Sequence, residues 1–341
     1  MIRPAGTPSP ANKLAEFEAT LALDSNDIIG EGPAWDETQR RILWCDNSAG
    51  VVHEAKTKGY KAARPSSWHE TRQWTLNRPI AAVVPGNIGA LSRTARTGLI
   101  VASGVEILTL SDAGDIRTFA RLNADPATVK LNDAKCDSRG RLWAGTRDTD
   151  FGVGGRAITA GRAALYRIDP CGAVHTMLTG VTLGNGMDWS PGGSVFYFID
   201  TYLRSVDAFD FDIDRGQISA RRNVVTLCGD DGLPDGMTVD ADGNLWVAIP
   251  GTGQVRCYSP EGALLARVEV PTPTVTSCAF GGADGTELFI TSARVQLPKA
   301  AQSGLTQGFS LEPGDSRDLG AGALYVCQPG VTGAPAYPFA G

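Results

Sequence analysis

The sequence predicts an all-β fold, a six-bladed β-propeller, and an internal repeat is the main observation behind this prediction. Five segments share one pattern: a polar residue, a few mostly apolar positions, a turn rich in Asp, Ser and Gly, and a hydrophobic strand with Trp or Phe near its middle. The copies begin at Glu31, Asn132, Asn185, Asp235 and Thr276. Repeats of this length that are rich in short strands and turns are typical of four-stranded propeller blades.

The spacing of the copies predicts a sixth blade. The first interval is about twice the others, which measure 41 to 53 residues. We therefore expect the missing copy at residues 78–102, with an insertion at 86–97 in place of the tight turn. Residues 16–23 alternate like a strand, and the alternating residues 207–214 predict a half-exposed outer strand. We expect a flexible lead-in at 1–14 and a single propeller domain at 15–341.

Composition excludes several classes of protein. The net charge of −6 and the scattered arginines argue against a nucleic-acid partner. No run of 18 apolar residues predicts a membrane span, and the first residues lack the apolar core of a secretory signal. The seven cysteines include no C-x-x-C and predict free, mostly buried thiols in a cytoplasmic protein. With three scattered histidines and no G-x-S-x-G, neither a His-built zinc site nor a serine triad is expected.

The first residues of four copies predict a metal site. The innermost strand of each propeller blade lines the central channel, so Glu31, Asn132, Asn185 and Asp235 are expected to converge on one axis. Two carboxylates and two amides facing one another in a low-dielectric tunnel require a partner. Oxygen donors without sulfur or imidazole favour Ca²⁺, Mg²⁺ or Mn²⁺, although Zn²⁺ and Fe²⁺ remain open. The sequence thus predicts a central metal-binding tunnel.

Several motifs resemble the gluconolactonase, senescence-marker-protein and luciferin-regenerating-enzyme family. They include G-E-G-P-A-W, L-N-D-A-K-C-D, N-G-M-D-W-S, P-D-G-M-T-V-D-A-D-G-N-L-W-V-A and the tail A-P-A-Y-P-F-A-G. The resemblance implies a six-bladed propeller that hydrolyses sugar lactones with a divalent metal, most commonly taken as Ca²⁺, in its tunnel. It places metal ligands and substrate contacts at the following residues: Glu31, Asn185 and Asp235 for the metal; Lys130, Asn132 and Asp150 for the substrate.

The chain departs from the better-known animal members of this family at two substrate positions. Lys130 and Asp150 stand where those members have Arg and Glu, so the charge is kept but the reach and geometry differ. We expect Asp235 to act as general base toward a water that attacks the lactone carbonyl. Arg147 is expected simply to pair with a neighbouring aspartate, and Asp46 and Asp200 are expected to bond backbone amides between blades.

Three other functions remain open at this stage. The same tunnel could cleave phosphoester or phosphorus–fluorine bonds, although no histidine lies in the repeat register. The protein could instead bind Ca²⁺ without catalysis in a regulatory role, or serve as a protein-interaction platform. The favoured expectation is a lactonase whose partner is a small sugar lactone, without nucleic acid or membrane.

Overall fold

A computed structural model describes residues 14–57, 68–87, 98–149, 159–229, 231–296, 312–313, 318 and 320–341. The predicted lead-in at 1–14 lies outside these ranges except for Leu14, so its flexibility stays a prediction, as does the assignment of 15–341 to one domain. Two short strands come first in the chain: β1 (Ala15–Glu18) and β2 (Thr20–Leu23).

The following strands form the first three blades, each a meander of four antiparallel strands. Blade I contains β3 (Gly30–Asp36), β4 (Arg41–Asp46), β5 (Val51–Thr57) and β6 (Trp68–Thr75). Blade II contains β7 (Ala82–Gly86), β8 (Gly98–Ser103), β9 (Glu106–Leu110) and β10 (Ile116–Arg121). Blade III contains β11 (Val129–Cys136), β12 (Leu142–Asp148), β13 (Ala163–Ile168) and β14 (Val174–Val181).

Three more blades complete the propeller. Blade IV contains β15 (Gly184–Trp189), β16 (Val195–Asp200), β17 (Ser205–Asp212) and β18 (Gln217–Thr226), with a 3-10 turn at Thr201–Leu203. Blade V contains β19 (Met237–Val239), β20 (Leu245–Ile249), β21 (Gln254–Tyr258) and β22 (Leu264–Glu269). Blade VI contains β23 (Val275–Gly281), β24 (Glu287–Ser292) and, after the ribbon β25 (Val295–Gln296) and β26 (Glu312–Pro313), β27 (Leu324–Cys327). The predicted six-bladed propeller is confirmed.

The sixth blade is completed by the beginning of the chain. Strand β2 pairs antiparallel with β27 and supplies the fourth strand of blade VI. Strand β1 instead runs parallel to β22 at the edge of blade V. The expectation of one continuous strand at 16–23 is therefore wrong, because the backbone N–H of Ala19 still bonds Glu269 O on blade V at 2.8 Å before the chain crosses to the next blade.

The repeat copy expected at 78–102 is present as the first two strands of blade II, β7 and β8. Their paired residues run from Ala82 opposite Ala102 to Gly86 opposite Gly98. Of the insertion at 86–97, residues 88–97 lie outside the described residues. The prediction of an outer strand at 207–214 is wrong, because β17 is the third strand of blade IV and pairs with the outer strand β18, although Asp210 of β17 is exposed. Two acids of β17 pair with arginines of β18: Asp207 Oδ2 lies 2.6 Å from an Arg221 nitrogen, and Asp210 Oδ1 lies 2.8 Å from Arg222 Nη1.

Tryptophan side chains fill the blade cores. Trp44, Trp143 and Trp246 occupy second strands and are at most 2 % exposed. Their indole N–H groups donate to Asp27, Asp137 and Asp240 respectively, each at 2.9 Å. Because a buried indole N–H needs an acceptor, each aspartate satisfies the polar end of a large apolar side chain.

The aspartates at the ends of second strands connect neighbouring elements, also as expected. Asp46 accepts the backbone N–H of Ile28 at 2.7 Å. Asp200 accepts those of Thr182 and Leu183 at 2.9 and 3.1 Å. Each carboxylate thereby fixes the segment that leads into the innermost strand of its own blade.

A buried ion cluster fixes the segment between β2 and β3. His53 lies with Nε2 2.9 Å from Asp27 Oδ1 and Nδ1 2.6 Å from Glu70 Oε1. Its ring stacks on Trp44 at 4.8 Å between centroids. Burial lowers the pKa of His53, but the two carboxylates outweigh burial and raise it above 6.5. The cluster therefore favours the imidazolium form.

The last residues of the chain cross one end of the central channel. This is the end at which turns connect the first and second strands of the blades. Backbone N–H groups of Gly333 and Ala334 donate to Gly285 O in blade VI and Val239 O in blade V. Those of Phe339 and Ala340 donate to Pro85 O in blade II and Gly140 O in blade III. We call residues 333–340 the hub strap. It connects four of the six blades, and the fully buried Phe339 anchors it in the core.

Among the described residues, all seven cysteines are free, and Cys171 and Cys228 alone are exposed. That same part of the chain contains no helix with the length and hydropathy needed to span a bilayer.

Candidate active site in the central channel

The innermost strands of four blades are irregular at one shared position. The pairing register shifts between Glu31 and Ala34 in β3, between Leu131 and Asp133 in β11, and between Gly184 and Met187 in β15. A further shift occurs at Val275–Ser277 in β23. A bulge releases a residue from the ladder and turns its side chain. The shifts leave Asn132 and Asn185 outside the regular pairing, whereas Glu31 is still paired with Cys45 and lies immediately before its shift.

In blade V the corresponding residue, Asp235, lies just before the first strand β19. It is nevertheless connected to β20, because its N–H donates to Ala248 O at 3.0 Å and the N–H of Ala248 donates to Gly236 O at 2.9 Å. Blade II lacks a shift in its first strand, and Ala81 and Ala82 contribute no polar side chain there.

Glycines beside the polar residues allow neighbouring blades to approach closely. A Cβ on Gly186 would lie 2.6 Å from Asp235 O and from Met237 N. A Cβ on Gly236 would lie 2.0 Å from Ser277 Oγ. The Asn-Gly and Asp-Gly pairs in the sequence thus serve the contact between blades rather than tight turns.

Hydrogen bonds connect the polar residues of blades III, IV and V. Asn132 Nδ2 donates to Asn185 Oδ1 at 3.1 Å and to Gly184 O at 3.0 Å. Asn185 Nδ2 donates to Thr201 Oγ1 at 2.8 Å, and that hydroxyl donates to Pro234 O at 2.9 Å. This chain of bonds orients the Asn185 amide and fixes the residue before Asp235.

The two carboxyl groups of the cluster, Glu31 and Asp235, are buried close to other carboxyl groups. Burial, followed by the charges of Asp235 and Asp133, raises the pKa of Glu31 well above 4.5. Burial and Asp133 likewise raise the pKa of Asp235 well above 3.8, against an opposing contact from Asn185. Burial and neighbouring carboxylates thus make ionisation of both groups unfavourable. A cation between them would relieve both the repulsion and the lost hydration.

The donor set fits a divalent cation that prefers oxygen. No three His, Cys, Asp or Glu side chains are grouped for metal binding in the described part of the chain. An ion here would therefore use Glu31 and Asp235 together with the Asn185 amide oxygen, and water would complete its coordination. This combination of carboxylate, amide and water suits Ca²⁺, Mg²⁺ or Mn²⁺ better than softer metals.

The structure describes two of the three predicted substrate residues. Lys130 and Asn132 lie on β11 at the cluster, and Asp150 lies outside the described residues. Burial, and then the charge of Arg147, lowers the pKa of Lys130 to about 8. Burial raises the pKa of the neighbouring Asp133 to about 6. The roles of these residues stay predictions.

Arg147 lies closer to the cluster than its expected pairing with a neighbouring aspartate implies. Burial lowers its pKa to about 10, and the charges of Glu31, Asp148 and Asp235 act in the opposite direction. The guanidinium therefore lies within the field of both cluster carboxylates, not only beside an adjacent aspartate. The signal that could have revealed it is its position in β12 directly opposite Lys130.

Below the cluster, a chamber continues along the channel axis toward the hub strap. Polar groups on one side include the ion pair between Lys135 Nζ and Asp188 Oδ2, 2.6 Å apart. Asp133 lies at the boundary between cluster and chamber, and Tyr337 belongs to the floor. The remaining lining is mostly apolar. The chamber thus ends at the strap.

The fold and this cluster together define a six-bladed propeller whose channel gathers carboxylates and amides from four blades. Residues 29–294 match the family described as the SMP-30/Gluconolactonase/LRE-like region. The chain belongs to that family.

Individual relatives agree with this assignment over nearly the full chain. The chain is 33 % identical to pentonolactonase XacC of Haloferax volcanii over 318 residues, 93 % of this chain and 97 % of that protein. It is 31 % identical to regucalcin of Danio rerio over 332 residues, 96 % and 100 % respectively. A solved luciferin-regenerating enzyme aligns with a TM-score of 0.76 at 27 % identity, covering 92 % of this chain and 96 % of that one.

Proposed function

We propose that this protein is a metal-dependent lactonase that opens a sugar lactone to the sugar acid. The observation that carries the proposal is the meeting of Glu31, Asn132, Asn185 and Asp235 in one buried channel cluster. The similarity to a pentonolactonase over 93 % of the chain supports the choice of lactones as substrates.

The metal-binding part of the cluster is assigned from its donors. Glu31, Asn185 and Asp235 would hold one divalent cation, with Ca²⁺ as the first choice. When bound, the cation supplies positive charge that polarises the lactone carbonyl and acidifies water. Thr201 keeps the Asn185 amide in place, since its hydroxyl accepts from Asn185 Nδ2 at 2.8 Å.

The remaining residues position the substrate and move the proton. Asp235 is the proposed general base: it takes a proton from the water whose oxygen attacks the carbonyl carbon. The bond from that carbon to the ring oxygen then breaks, and the proton passes to the leaving alkoxide. Lys130 and Asn132 would hold ring hydroxyls, with Asp150 as a third proposed contact. The product is the open-chain hydroxy acid.

The test is pH-stat hydrolysis of five- and six-membered sugar lactones. Chelated protein should be inactive, and re-addition of Ca²⁺, Mg²⁺, Mn²⁺, Zn²⁺ or Fe²⁺ should identify the supporting ion. Asp235→Asn should lower kcat by about 10²–10⁴-fold, the usual contribution of a general base. Asp210→Asn, a change at an exposed acid on β17, is the matched control and should retain activity. Wild-type kcat in metal-loaded Asp235→Asn would rule out the base assignment.

A second candidate is cation binding without turnover. Two buried carboxylates with raised pKa values favour a cation whether or not a substrate follows. Tight metal binding by calorimetry, together with no hydrolysis of any lactone or of an aryl organophosphate, would establish this alternative instead.

A further inference from the structure

At the position shared by the cluster residues, blade VI has Thr276 rather than a carboxylate or an amide. The pairing register shifts between Val275 and Ser277, just as it shifts on the two sides of Asn132 in blade III. Thr276 therefore takes the place of a cluster residue in its own blade. Its side chain is only 3 % exposed, and a hydroxyl buried to this extent needs hydrogen-bond partners.

The Thr276 hydroxyl finds its partners across the seam between blades VI and I. It donates to Gly30 O at 2.6 Å and lies 2.9 Å from Thr291 Oγ1. Because a hydroxyl carries one proton and a carbonyl can only accept, the bond to Gly30 takes that proton. The seam is tight here, since a Cβ on Gly30 would lie 2.8 Å from Ser292 O. The bond thus holds the backbone directly before Glu31 against blade VI.

The main chain of Thr276 bonds the segment that carries the other cluster carboxylate. The N–H of Gly236, the residue after Asp235, donates to Thr276 O at 2.9 Å. Thr276 therefore bonds the residue before Glu31 through its side chain and the residue after Asp235 through its carbonyl. In the proposed function these two carboxylates hold one cation, and Thr276 connects the two backbone segments that support them.

The same arrangement recurs between blades IV and V. The Thr201 hydroxyl donates to Pro234 O at 2.9 Å, and Pro234 directly precedes Asp235. Thr201 and Thr276 thus each donate, from a neighbouring blade, to the carbonyl before a cluster carboxylate. The position of a carboxylate depends on its backbone as well as on its rotamer, so such bonds fix where its oxygens can lie.

We propose that Thr276 is a positioning residue of the metal site, whose hydroxyl holds Glu31 and Asp235 at the separation that a bound cation requires. It acts through the two backbone segments rather than by contact with the cation. Hydrogen-bonded residues behind metal ligands commonly contribute about 10- to 100-fold to metal affinity. This inference rests on the proposed metal-dependent function, and it adds a residue from a fifth blade to the site.

The experiment measures metal affinity. Chelated full-length protein is titrated calorimetrically with Ca²⁺, Mg²⁺ and Mn²⁺, and the Kd of the tightest ion is compared between variants. Thr276→Val removes the hydroxyl, nearly keeps the shape of the side chain, and should raise this Kd about 10- to 100-fold. Thr276→Ser keeps the hydroxyl and should retain most of the wild-type affinity. Rescue by serine separates the hydrogen bond from the packing of the threonine methyl group.

Ser103→Ala is the matched control. Ser103 is 1 % exposed, and its hydroxyl donates to Pro79 O at 2.6 Å, in the segment that leads into β7 of blade II. This blade holds none of the proposed metal ligands, so the control should lower Tm and leave the Kd unchanged. If Thr276→Val likewise lowers Tm at a wild-type Kd, its hydroxyl only stabilises the seam and the inference is overturned. An equal loss of affinity in Thr276→Ser and Thr276→Val also overturns it.

The titration keeps this inference distinct from the proposed lactonase function. If the wild type binds a cation but hydrolyses no lactone, weaker binding by Thr276→Val still supports the positioning role although the lactonase function has failed. If the wild type hydrolyses lactones and Thr276→Val binds the cation equally well, only the positioning role has failed. A wild type that binds none of the three ions would overturn both.

Discussion

Replacing Glu31 by glutamine should stabilise the metal-free protein and remove its response to metal. Burial and the charges of Asp235 and Asp133 raise the pKa of Glu31 well above 4.5. An acid with a raised folded-state pKa contributes stability below its unfolded pKa of about 4.5 and loses that contribution as the pH rises through the folded-state value. At pH 7.5, above the unfolded pKa, the Glu31 carboxyl therefore opposes folding, and the neutral, nearly isosteric glutamine does not.

The expected change in melting temperature follows from general values for pKa shifts and unfolding entropy. Each pKa unit of elevation corresponds to about 1.4 kcal/mol. A chain of 341 residues unfolds with an entropy of about 0.7 kcal/mol/K. The metal-free variant should therefore melt about 2 °C above metal-free wild type for each such unit. A cation at 100 times its Kd stabilises the wild type by about 2.7 kcal/mol, or about 4 °C, and the variant should gain almost none of this.

The assay is thermal unfolding followed by far-UV circular dichroism at pH 7.5, first in chelator and then in excess Ca²⁺. Glu54→Gln is the matched control. Burial raises the pKa of Glu54, but bonds from Thr71 and Arg41 outweigh burial and lower it. Its neutralisation should therefore reduce Tm and leave the metal response intact. The reasoning is refuted if Glu31→Gln melts below metal-free wild type while Ca²⁺ raises the Tm of both proteins equally.

Three further outcomes are expected. Because the pKa of His53 is raised, His53→Gln should remove a stabilisation that is largest below about pH 6.5 and vanishes as the pH rises through the raised pKa. Urea unfolding of both proteins at pH 6 and pH 9 measures this difference. Gly236→Ala should lower kcat/KM about 100-fold, because the added Cβ would collide with Ser277 and displace the preceding residue Asp235, whereas Gly192→Ala, with open space around it, should not. Phe339→Ala should cost about 3–5 kcal/mol of unfolding free energy in a denaturant titration, and a cost below 1 kcal/mol would contradict its role as anchor.

The sequence predicted the features that repeat and missed those that depend on pairing between strands. Glu31, Asn132 and Asn185 could be found together because equivalent blade positions converge on the axis whatever the detailed packing. The register shifts beside these residues leave no distinct periodic signal. The sequence named Arg147 but not its place beside Lys130, because the two residues become adjacent only in the β11–β12 ladder.

The two errors in strand assignment have a similar origin. No turn residue marks the crossing at Ala19, because a single extended residue is enough to carry the chain from one blade to the next. The alternating acids of 207–214 suggested contact with water, but Asp207 is compensated by Arg221 on the covering strand. Alternation alone does not distinguish a solvated face from one that is paired with opposite charge.

The hub strap bonds four blades at one end of the channel, and its Tyr337 lines the chamber there. A segment in this position narrows that end, so we expect small molecules to enter and leave at the opposite end, where a departing product would compete with the next substrate. Deleting the strap should open a second route and, at the same time, remove the bonds that hold these four blades together.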